Sequence, residues 1–372
     1  MKITGIVTEY NPFHNGHQYH IEQTRQLMQP DVLIAVMSGH FVQRGEPAIC
    51  DKWQRTQIAL QHGVDLVIEL PVAFATQSAQ TFAYKSVEIL ALAQASDIVF
   101  GSESNDLQTI KEIAELSINI DGLKESMRTG NSYPKALGLL SGEYDPNDIL
   151  GIGYCKAAQS FNISPHTILR TNSYHSIDTD NPIASATAIR KALKDNTNIS
   201  HMTPMGFLME QSTYPDWQLY YPLLKHILLT LPKSYLQEVF LVSEGIESHM
   251  IKQATKFDDA GHFIDACVNR RYSKARIQRT MVQLLLHNTK KNVRELPKID
   301  TLRVLGFNQQ GLKALQMYKE KEIKVASRFN QIPLPYRVME HKATQVYASV
   351  FDSKEKDRII SRESQGPVII QR

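Results

Sequence analysis

The chain has only three cysteines in 372 residues, Cys50, Cys155 and Cys267, far apart and in no paired spacing. That excludes a disulfide framework and a cysteine-rich zinc site, and a cytoplasmic setting is expected. No apolar run approaches the roughly 20 residues that span a bilayer, so no membrane partner is expected. Met1-Lys2 leads directly into a strand-like stretch, and no secretory signal is expected there. Net charge is only +3, from 41 Lys and Arg against 38 Asp and Glu. A nucleic-acid partner must therefore be argued from local clustering rather than from the total. No nucleophile motif and no metal-ligand cluster can be read from the residues, so no covalent enzyme intermediate and no protein-held metal are expected. The rest is 42% hydrophobic and 21% charged, as in a globular protein long enough for two domains.

One local absence is informative. From Ala266 through Arg294 there is no Asp or Glu, while Arg270, Arg271, Lys274, Arg276, Arg279, Lys290, Lys291 and Arg294 all occur. Ile277, Val282, Leu284, Leu285 and Leu286 are interleaved, and Tyr272 stands at the start. This reads as an amphipathic basic helix. A solvated helix face normally mixes signs. A one-signed stripe favours contact with a phosphate backbone, so Arg270, Arg271, Lys274, Arg276 and Arg279 are the candidate RNA contacts.

The organising stretch is at the other end. Ile3 to Val7 reads as a strand, followed by Thr8-Glu9-Tyr10-Asn11-Pro12-Phe13-His14-Asn15-Gly16-His17-Gln18-Tyr19-His20, with a helix beginning near His17. A strand, a turn and a helix at the start of an α/β domain place backbone N–H groups and a positive helix end at the carboxyl edge of a sheet. Gly16 lets a phosphate approach the backbone, and His14 and His17 can donate ring N–H groups to it. The same donors suit adenylyl transfer, where charge on the α-phosphate and the departing pyrophosphate must be stabilised. The four-residue His-x-Gly-His string is a weak signal alone; its position after the first strand strengthens it.

Further strands are expected at Asp31–Ser38, Gly63–Pro71, Ser96–Glu103 and His166–Arg170. Helical stretches separate them, running from His17 to Met28, Lys52 to His62, Ser78 to Ala95 and Leu107 to about Met127. Such alternation marks βαβ units and a parallel sheet. The loop Gly39–Ile49 carries Arg44, either an anion ligand or a solvated loop arginine. A break is expected at Tyr133-Pro134, with helical patches around Leu137. Asn147 or Asp148 either caps a helix or contacts a nucleotide. In Ala184-Ser185-Ala186-Thr187-Ala188-Ile189-Arg190, Ser185 or Thr187 can cap a helix and also bond a phosphate, with Arg190 reaching a triphosphate. From about His201 the alternation stops. Helices are expected at Tyr220–Leu231, Tyr235–Ser243 and His249–Thr255, broken by Pro222, Pro232 and Gly245. A little more α and a short strand are expected after Ile299, and a loosely held tail after Asp352.

The Glu9–His17 run, with His20 behind it, resembles the His-x-Gly-His nucleotidyltransferase superfamily, and within it the tRNA(Met) cytidine acetate ligases of bacteria. Ser38-Gly39, Phe41-Val42, Arg44-Gly45-Glu46-Pro47-Ala48, Val67-Ile68-Glu69-Leu70-Pro71 and Phe100-Gly101-Ser102-Glu103 resemble that family too. The resemblance implies an α/β protein. A Rossmann-like parallel-sheet nucleotidyltransferase domain over residues 1–200 would precede a mainly α-helical, basic, tRNA-binding domain over residues 201–372. It implies a ligase that forms acetyl-adenylate from acetate and ATP. The acetyl group would then pass to N4 of the wobble cytidine of elongator tRNA(Met), giving N4-acetylcytidine without acetyl-coenzyme A. His14 and His17 would be catalytic. ATP contacts would fall on Val7 through His20, Gly101, Asn147 and Arg170, with Mg²⁺ accompanying the triphosphate. The family commonly has two asparagines where this chain reads Asn147-Asp148, which leaves open which of the two meets the nucleotide. A second reading is an adenylyltransferase or ligase that uses the same histidine site on another small molecule or a protein. The basic stripe speaks against it, since a small substrate has no use for one.

Overall fold

The computed structural model describes residues 1–115, 146–170 and 184–371. The Tyr133-Pro134 break and the patches around Leu137 lie outside them. The first half runs β1 (Ile3–Thr8), α1 (Asn15–Met28), β2 (Val32–Ser38), α2 (Lys52–Gln61), β3 (Leu66–Leu70), α3 (Val72–Ala75), α4 (Ala79–Leu92), β4 (Asp97–Ser102) and α5 (Leu107–Glu115). It continues with α6 (Pro146–Phe161), β5 (Ser164–Leu169) and α7 (Ala186–Lys194). A helical block follows, with α8 (Trp217–Thr230), α9 (Lys233–Glu238), α10 (Ile246–Ala254), α11 (Ala260–Cys267), α12 (Lys274–Leu285) and α13 (Lys290–Arg294). Last come β6 (Thr301–Phe307), α14 (Gln309–Glu320), β7 (Lys324–Ala326), α15 (Leu334–Ala348), α16 (Ser353–Arg362) and β8 (Val368–Ile369). Among the described residues no helix is long and apolar enough to cross a membrane.

The sheet order is β5-β4-β1-β2-β3-β6-β7, with β8 also on β6. The β5-β4-β1-β2-β3 pairings are all parallel, and β6 runs antiparallel to β3. Every residue of β2 is buried, because helices cover both faces. Val32, Ile34 and Val36 join a core with α4 and α6, while Leu33, Ala35 and Met37 join one with α1, α2 and α7. That is the period of two expected of a strand. A third core is helical, drawn from α8 and α10–α12, with Phe41, Met339, Tyr347 and Ile359 packed into it. Phe41 thus ties the loop after β2 to the helical block.

The expected 201–372 unit is helical through Arg294 and then gives three strands back to the sheet of the expected 1–200 unit. The residues after Asp352 are not a loose tail. Asp352 caps α16, Ile359 is buried, and β8 pairs with β6. Their polarity misled because Glu363 is buried in ion pairs with Lys52 and Arg303. Pro222 lies inside α8 rather than breaking it. Burial of Trp217, Tyr220, Tyr221, Leu224 and Leu228 on one face outweighs the lost backbone bond.

Candidate active site

β1 is the switch point of the sheet: β2 and β3 extend to one side of it, β4 and β5 to the other. The pairing between β1 and β4 is confined to Thr4 with Asp97 and Gly5 with Ile98. Yet β1 continues to Thr8 and β4 to Ser102. The two strands splay at their carboxyl ends, and a crevice opens there, where open α/β sheets bind ligands.

The histidine turn enters this crevice. His14 is the N-cap of α1, which begins at Asn15, two residues before the helix start expected from sequence. The Gly16 N–H donates to His14 Nδ1 (3.1 Å), and the His14 N–H donates to His17 Nδ1 (3.2 Å). The two imidazoles thereby cap the helix reciprocally. With each Nδ1 acting as acceptor, the proton of each neutral ring sits on Nε2. The rings stack with centroids 3.7 Å apart. Burial first, then Arg170 and Arg190, push His14 down to about 3. Burial, then His14, Arg170 and His20, hold His17 well below the ordinary range. Burial, then Arg170, push His20 down to about 4. Three neutral imidazoles therefore sit among cationic arginines at neutral pH.

One expectation changes here. The first backbone donors of α1 already have protein acceptors: Asn15 N–H binds Met202 O (3.0 Å), Gly16 N–H binds His14, and His17 N–H binds His14 O (2.8 Å). The groups left to meet a phosphate are imidazole Nε2–H donors, assisted by the helix dipole. The rest of the turn is wedged in place. Tyr10 has φ 50° and packs edge-on against Phe13 and His17. Asn11 Oδ1 accepts from the Ile49 N–H (2.8 Å), and the Phe13 carbonyl accepts from Thr203 Oγ1 (2.5 Å). Val7 is half-buried, and Thr8 and Pro12 are buried. Gln18 bonds to Glu22 (2.6 Å) and His62 (2.5 Å), and Tyr19 is half-buried against the core.

The opposite wall comes from β4, β5 and α6. Arg170 lies over Gly101, where a Cβ would come 3.1 Å from Arg170 Cγ. Its Nε stands 3.9 Å from Glu103 Oε1, and Asn147 Nδ2 donates to the same oxygen. Glu103 thus joins Asn147 to Arg170, a linking role that the sequence does not reveal. Asp148 accepts from Ser102 Oγ (2.5 Å), Glu103 N–H (3.1 Å) and Ser104 N–H (3.2 Å), which fixes the turn that ends β4.

α7 closes a third side. Ser185 caps it, its Oγ accepting from the Ala188 N–H (3.1 Å). Arg190 Nη1 donates to the Asn11 carbonyl (2.7 Å), and its Nη2 reaches Glu46 (3.2 Å) and Thr187 Oγ1 (3.4 Å). Sequence reasoning missed Arg55. Fully buried on α2, it donates to the carbonyls of Cys50, Glu9, Ser38 and Gly39, pinning the loop after β2 to the histidine segment. Glu9 Oε1 accepts from the Gln43 N–H (2.5 Å) in the same loop. Nothing in the local pattern distinguishes such an arginine from a surface one.

The basic stripe divides. It is not one helix: α12 ends at Leu285 and α13 begins at Lys290. Arg270, Arg271 and Lys274 are exposed, with Arg271 3.9 Å from Glu244 and Lys274 3.2 Å from Asp265. Arg276 turns inward to Leu241 O (2.9 Å) and Ser243 Oγ (3.0 Å). Arg279 is half-buried. Acids absent from the run are supplied by neighbouring elements, which a one-dimensional charge count cannot register. Among the described residues no group of three or more His, Cys, Asp or Glu is arranged to hold a metal ion.

Comparison with known proteins places this arrangement. The model of the HIGH Nucleotidyl Transferase family matches residues 1–362. The tRNA(Met) cytidine acetate ligase of Oceanobacillus iheyensis is 37% identical, over 100% of both chains. That of Listeria welshimeri is 42% identical, over 86% of this chain and 87% of its own. Crystal structures of Thermotoga maritima TmcAL, 30% identical, cover 100% of both chains, with TM-scores of 0.91 for an apo form and 0.87 for a form bound with alpha-thio ATP. The chain belongs to the HIGH nucleotidyl transferases and, within them, to the family of tRNA(Met) cytidine acetate ligases.

Proposed function

We propose that this protein is an ATP-dependent ligase that joins acetate to N4 of the wobble cytidine of elongator tRNA(Met), by way of acetyl-adenylate and without acetyl-coenzyme A. The observation that carries the reading is the pair of neutral, stacked histidines at the switch point, with Arg170 and Arg190 on either side. In the first step an acetate oxygen attacks the α-phosphorus of ATP and pyrophosphate leaves. The protein need not form a bond to either reactant. It has to hold them in line and stabilise charge spreading onto the phosphate oxygens. The Nε2–H groups of His14 and His17 supply donors for this, and being neutral they cannot protonate the attacking carboxylate. Arg170 and Arg190 supply fixed positive charge. Asn147 and Gly101 line the opposite wall, where the nucleoside would lie. Mg²⁺ would arrive on the triphosphate itself.

Adenylation turns acetate into an acyl donor with a good leaving group. Cytosine N4 is a weak nucleophile, because its lone pair is delocalised into the ring. It attacks the acetyl carbonyl, loses a proton, and AMP departs. The base must be splayed out of its loop to reach the crevice, which suits a single-stranded anticodon. We place the reaction in the cytoplasm. Purified protein is to be incubated with labelled acetate, ATP, Mg²⁺ and unmodified bacterial tRNA. Label in N4-acetylcytidine, dependent on ATP and indifferent to acetyl-coenzyme A, is the expected result. Acetate-dependent pyrophosphate release with no label in tRNA would assign the adenylation to another acceptor.

A further inference from the structure

We infer that Glu9 is the general base of the transfer step, taking the proton from the cytosine N4 amine as it attacks the acetyl carbonyl. The inference rests on the tRNA reading above and adds the group that its second half-reaction requires. In that step the N4 lone pair forms the bond to the acetyl carbon, and the bond from that carbon to the AMP oxygen breaks. An N4–H bond breaks as well. Its electron pair stays on nitrogen, and its proton passes to the Glu9 carboxylate, which later gives it to water.

Among the described residues the crevice holds few groups that can accept that proton. His14 and His17 are excluded by their own hydrogen bonds. Each spends its Nδ1 lone pair on a backbone N–H, so its Nε2 already carries the ring proton. His20 Nε2 is buried away from solvent. Glu46 is paired with Arg190 at 3.2 Å. Glu103 turns one oxygen to Asn147 and Arg170, and its other oxygen is buried. Asp148 is engaged by three donors of the β4 turn. Glu9 is the carboxylate that remains.

Glu9 directly follows the last residue of β1, at the edge where β1 and β4 part. Its backbone is fixed there, because Arg55 Nη1 donates to the Glu9 carbonyl (2.7 Å). The side chain is half-buried, and Oε1 accepts from the uncharged Gln43 N–H (2.5 Å). Among the described residues Oε2 has no hydrogen-bond partner, and no cation stands at ion-pair distance from either oxygen. The groups that face the carboxylate are Arg44 and Glu46 on the loop after β2, Arg55 on α2 and Tyr154 on α6. Burial is the largest influence and raises the carboxyl above its ordinary range. Glu46 adds to this, while the Gln43 N–H, Arg44 and Arg55 oppose it. A raised carboxyl is a stronger base than an ordinary one. Position also suits the acceptor. The loop bearing Gln43 is fastened to the helical block, where Trp217 Nε1 donates to the Gly45 carbonyl (2.9 Å). RNA held by the exposed Arg270, Arg271 and Lys274 of that block would present its splayed base on the Glu9 side of the crevice.

The test isolates the second step by giving the full chain preformed acetyl-adenylate and an unmodified elongator tRNA(Met) transcript. Acetate-dependent pyrophosphate release is measured in parallel. Glu9→Gln keeps an oxygen for the Gln43 N–H and removes the base. Its acetyl transfer to tRNA should fall by about 100-fold or more, and by at least about tenfold more than its pyrophosphate release. Wild-type transfer should rise with pH as the Glu9 carboxyl loses its proton, then level off; in Glu9→Gln that rise should vanish. Glu9→Asp, a shorter carboxylate, should restore part of the rate together with the rise, and it keeps the test open if Glu9→Gln fails to fold. Near-normal transfer by Glu9→Gln would overturn the inference, leaving water or the departing phosphate to take the proton. Equal losses in the two half-reactions, in both variants, would also overturn it and assign Glu9 to ATP binding. Failure of the wild-type protein to acetylate tRNA from acetyl-adenylate would instead remove the functional reading itself.

Discussion

Two groups of buried charge lie in this molecule, and they are built differently. Lys52, Glu69, Arg303 and Glu363 form a closed square: Lys52–Glu69 2.8 Å, Lys52–Glu363 2.6 Å, Arg303–Glu69 2.7 Å and Arg303–Glu363 2.8 Å. Every corner touches two opposite charges and is nearly dry. Around the histidine turn the contacts are looser, with Arg170 3.9 Å from Glu103 and Arg190 3.2 Å from Glu46, and both arginines are about a third or less exposed. The square joins α2 and β3 to β6 and the end of α16, so it fastens the last part of the chain to the parallel sheet. The open group leaves donors unsaturated beside a crevice. Saturated charge fixes a fold; unsaturated charge waits for a substrate.

The sharpest way to break this comparison is to open the square. Lys52→Met leaves Glu69 and Glu363 sharing one cation in a buried site. Loss of one partner from such a network costs about 3–5 kcal/mol. Urea unfolding should register that loss. Adding Glu363→Leu should recover part of it, by removing the stranded charge. A loss below about 1 kcal/mol for Lys52→Met would mean that the square is not what holds β6 and α16 to β3.

His17→Ala probes the open group and should behave in the opposite way. Loss of one neutral donor to developing charge lowers turnover by about 100–1000-fold, equivalent to about 2.7–4 kcal/mol. Stability should fall only by about the cost of a helix cap, roughly 1 kcal/mol. Acetate-dependent pyrophosphate release and thermal unfolding, measured on the same preparation, separate the two effects. Near-normal release would remove the phosphate role from the Nε2–H donor.

The contrast also explains what was legible in the sequence. The strands, the histidine turn and the Ser185 cap follow from patterns that are local: alternation, a glycine between histidines, a hydroxyl before a helix. The square is not local. Glu69 and Arg303 are 234 residues apart, and nothing near Glu363 marks it as buried. The polar tail was therefore expected to be loose, whereas it supplies one corner of the square and a strand paired with β6. Arg55 and Glu103 were missed for the same reason, since their partners are carbonyls and side chains brought in by folding. The basic stripe was expected as one helix, whereas α12 and α13 divide it, and Asp265 and Glu244 approach it from outside its own run.

pH should separate the two groups by sign. The histidines at the crevice stay neutral in the folded protein, but in the unfolded chain they take up protons near pH 6.5. Below about 6.5 the unfolded state binds more protons, so stability falls with falling pH. The fall continues toward the folded-state values, about 4 for His20 and about 3 for His14. Each imidazole contributes about 1.4 kcal/mol per pH unit within that window. Glu340, beside the square, moves the other way: burial, then the Glu69 charge, raise it above the ordinary carboxyl range. There the folded state keeps a proton that the unfolded state has lost, and stability falls as pH rises toward neutrality. His14→Gln should flatten the acid limb of a stability–pH curve, and Glu340→Gln the neutral limb. If both variants flatten the same limb, the opposition between the groups is wrong.

The smallest effect tests neighbouring residues within the open group. Asp148 gives its carboxylate to three donors of the β4 turn, whereas Asn147 gives one amide to Glu103, which also faces Arg170. Asp148→Asn keeps an acceptor oxygen for that turn. It should cost about 1 kcal/mol of stability, with the KM for ATP changed less than about twofold, as expected for partial loss of hydrogen bonding. Asn147→Ala removes a polar group from the crevice wall and frees Glu103 to draw Arg170 closer. Its KM for ATP should rise by roughly tenfold, about 1.4 kcal/mol, while unfolding barely moves. If Asp148→Asn carries the KM effect and Asn147→Ala does not, the nucleotide lies against the residue that also fixes the β4 turn. Fixed and waiting charge would then meet in a single carboxylate.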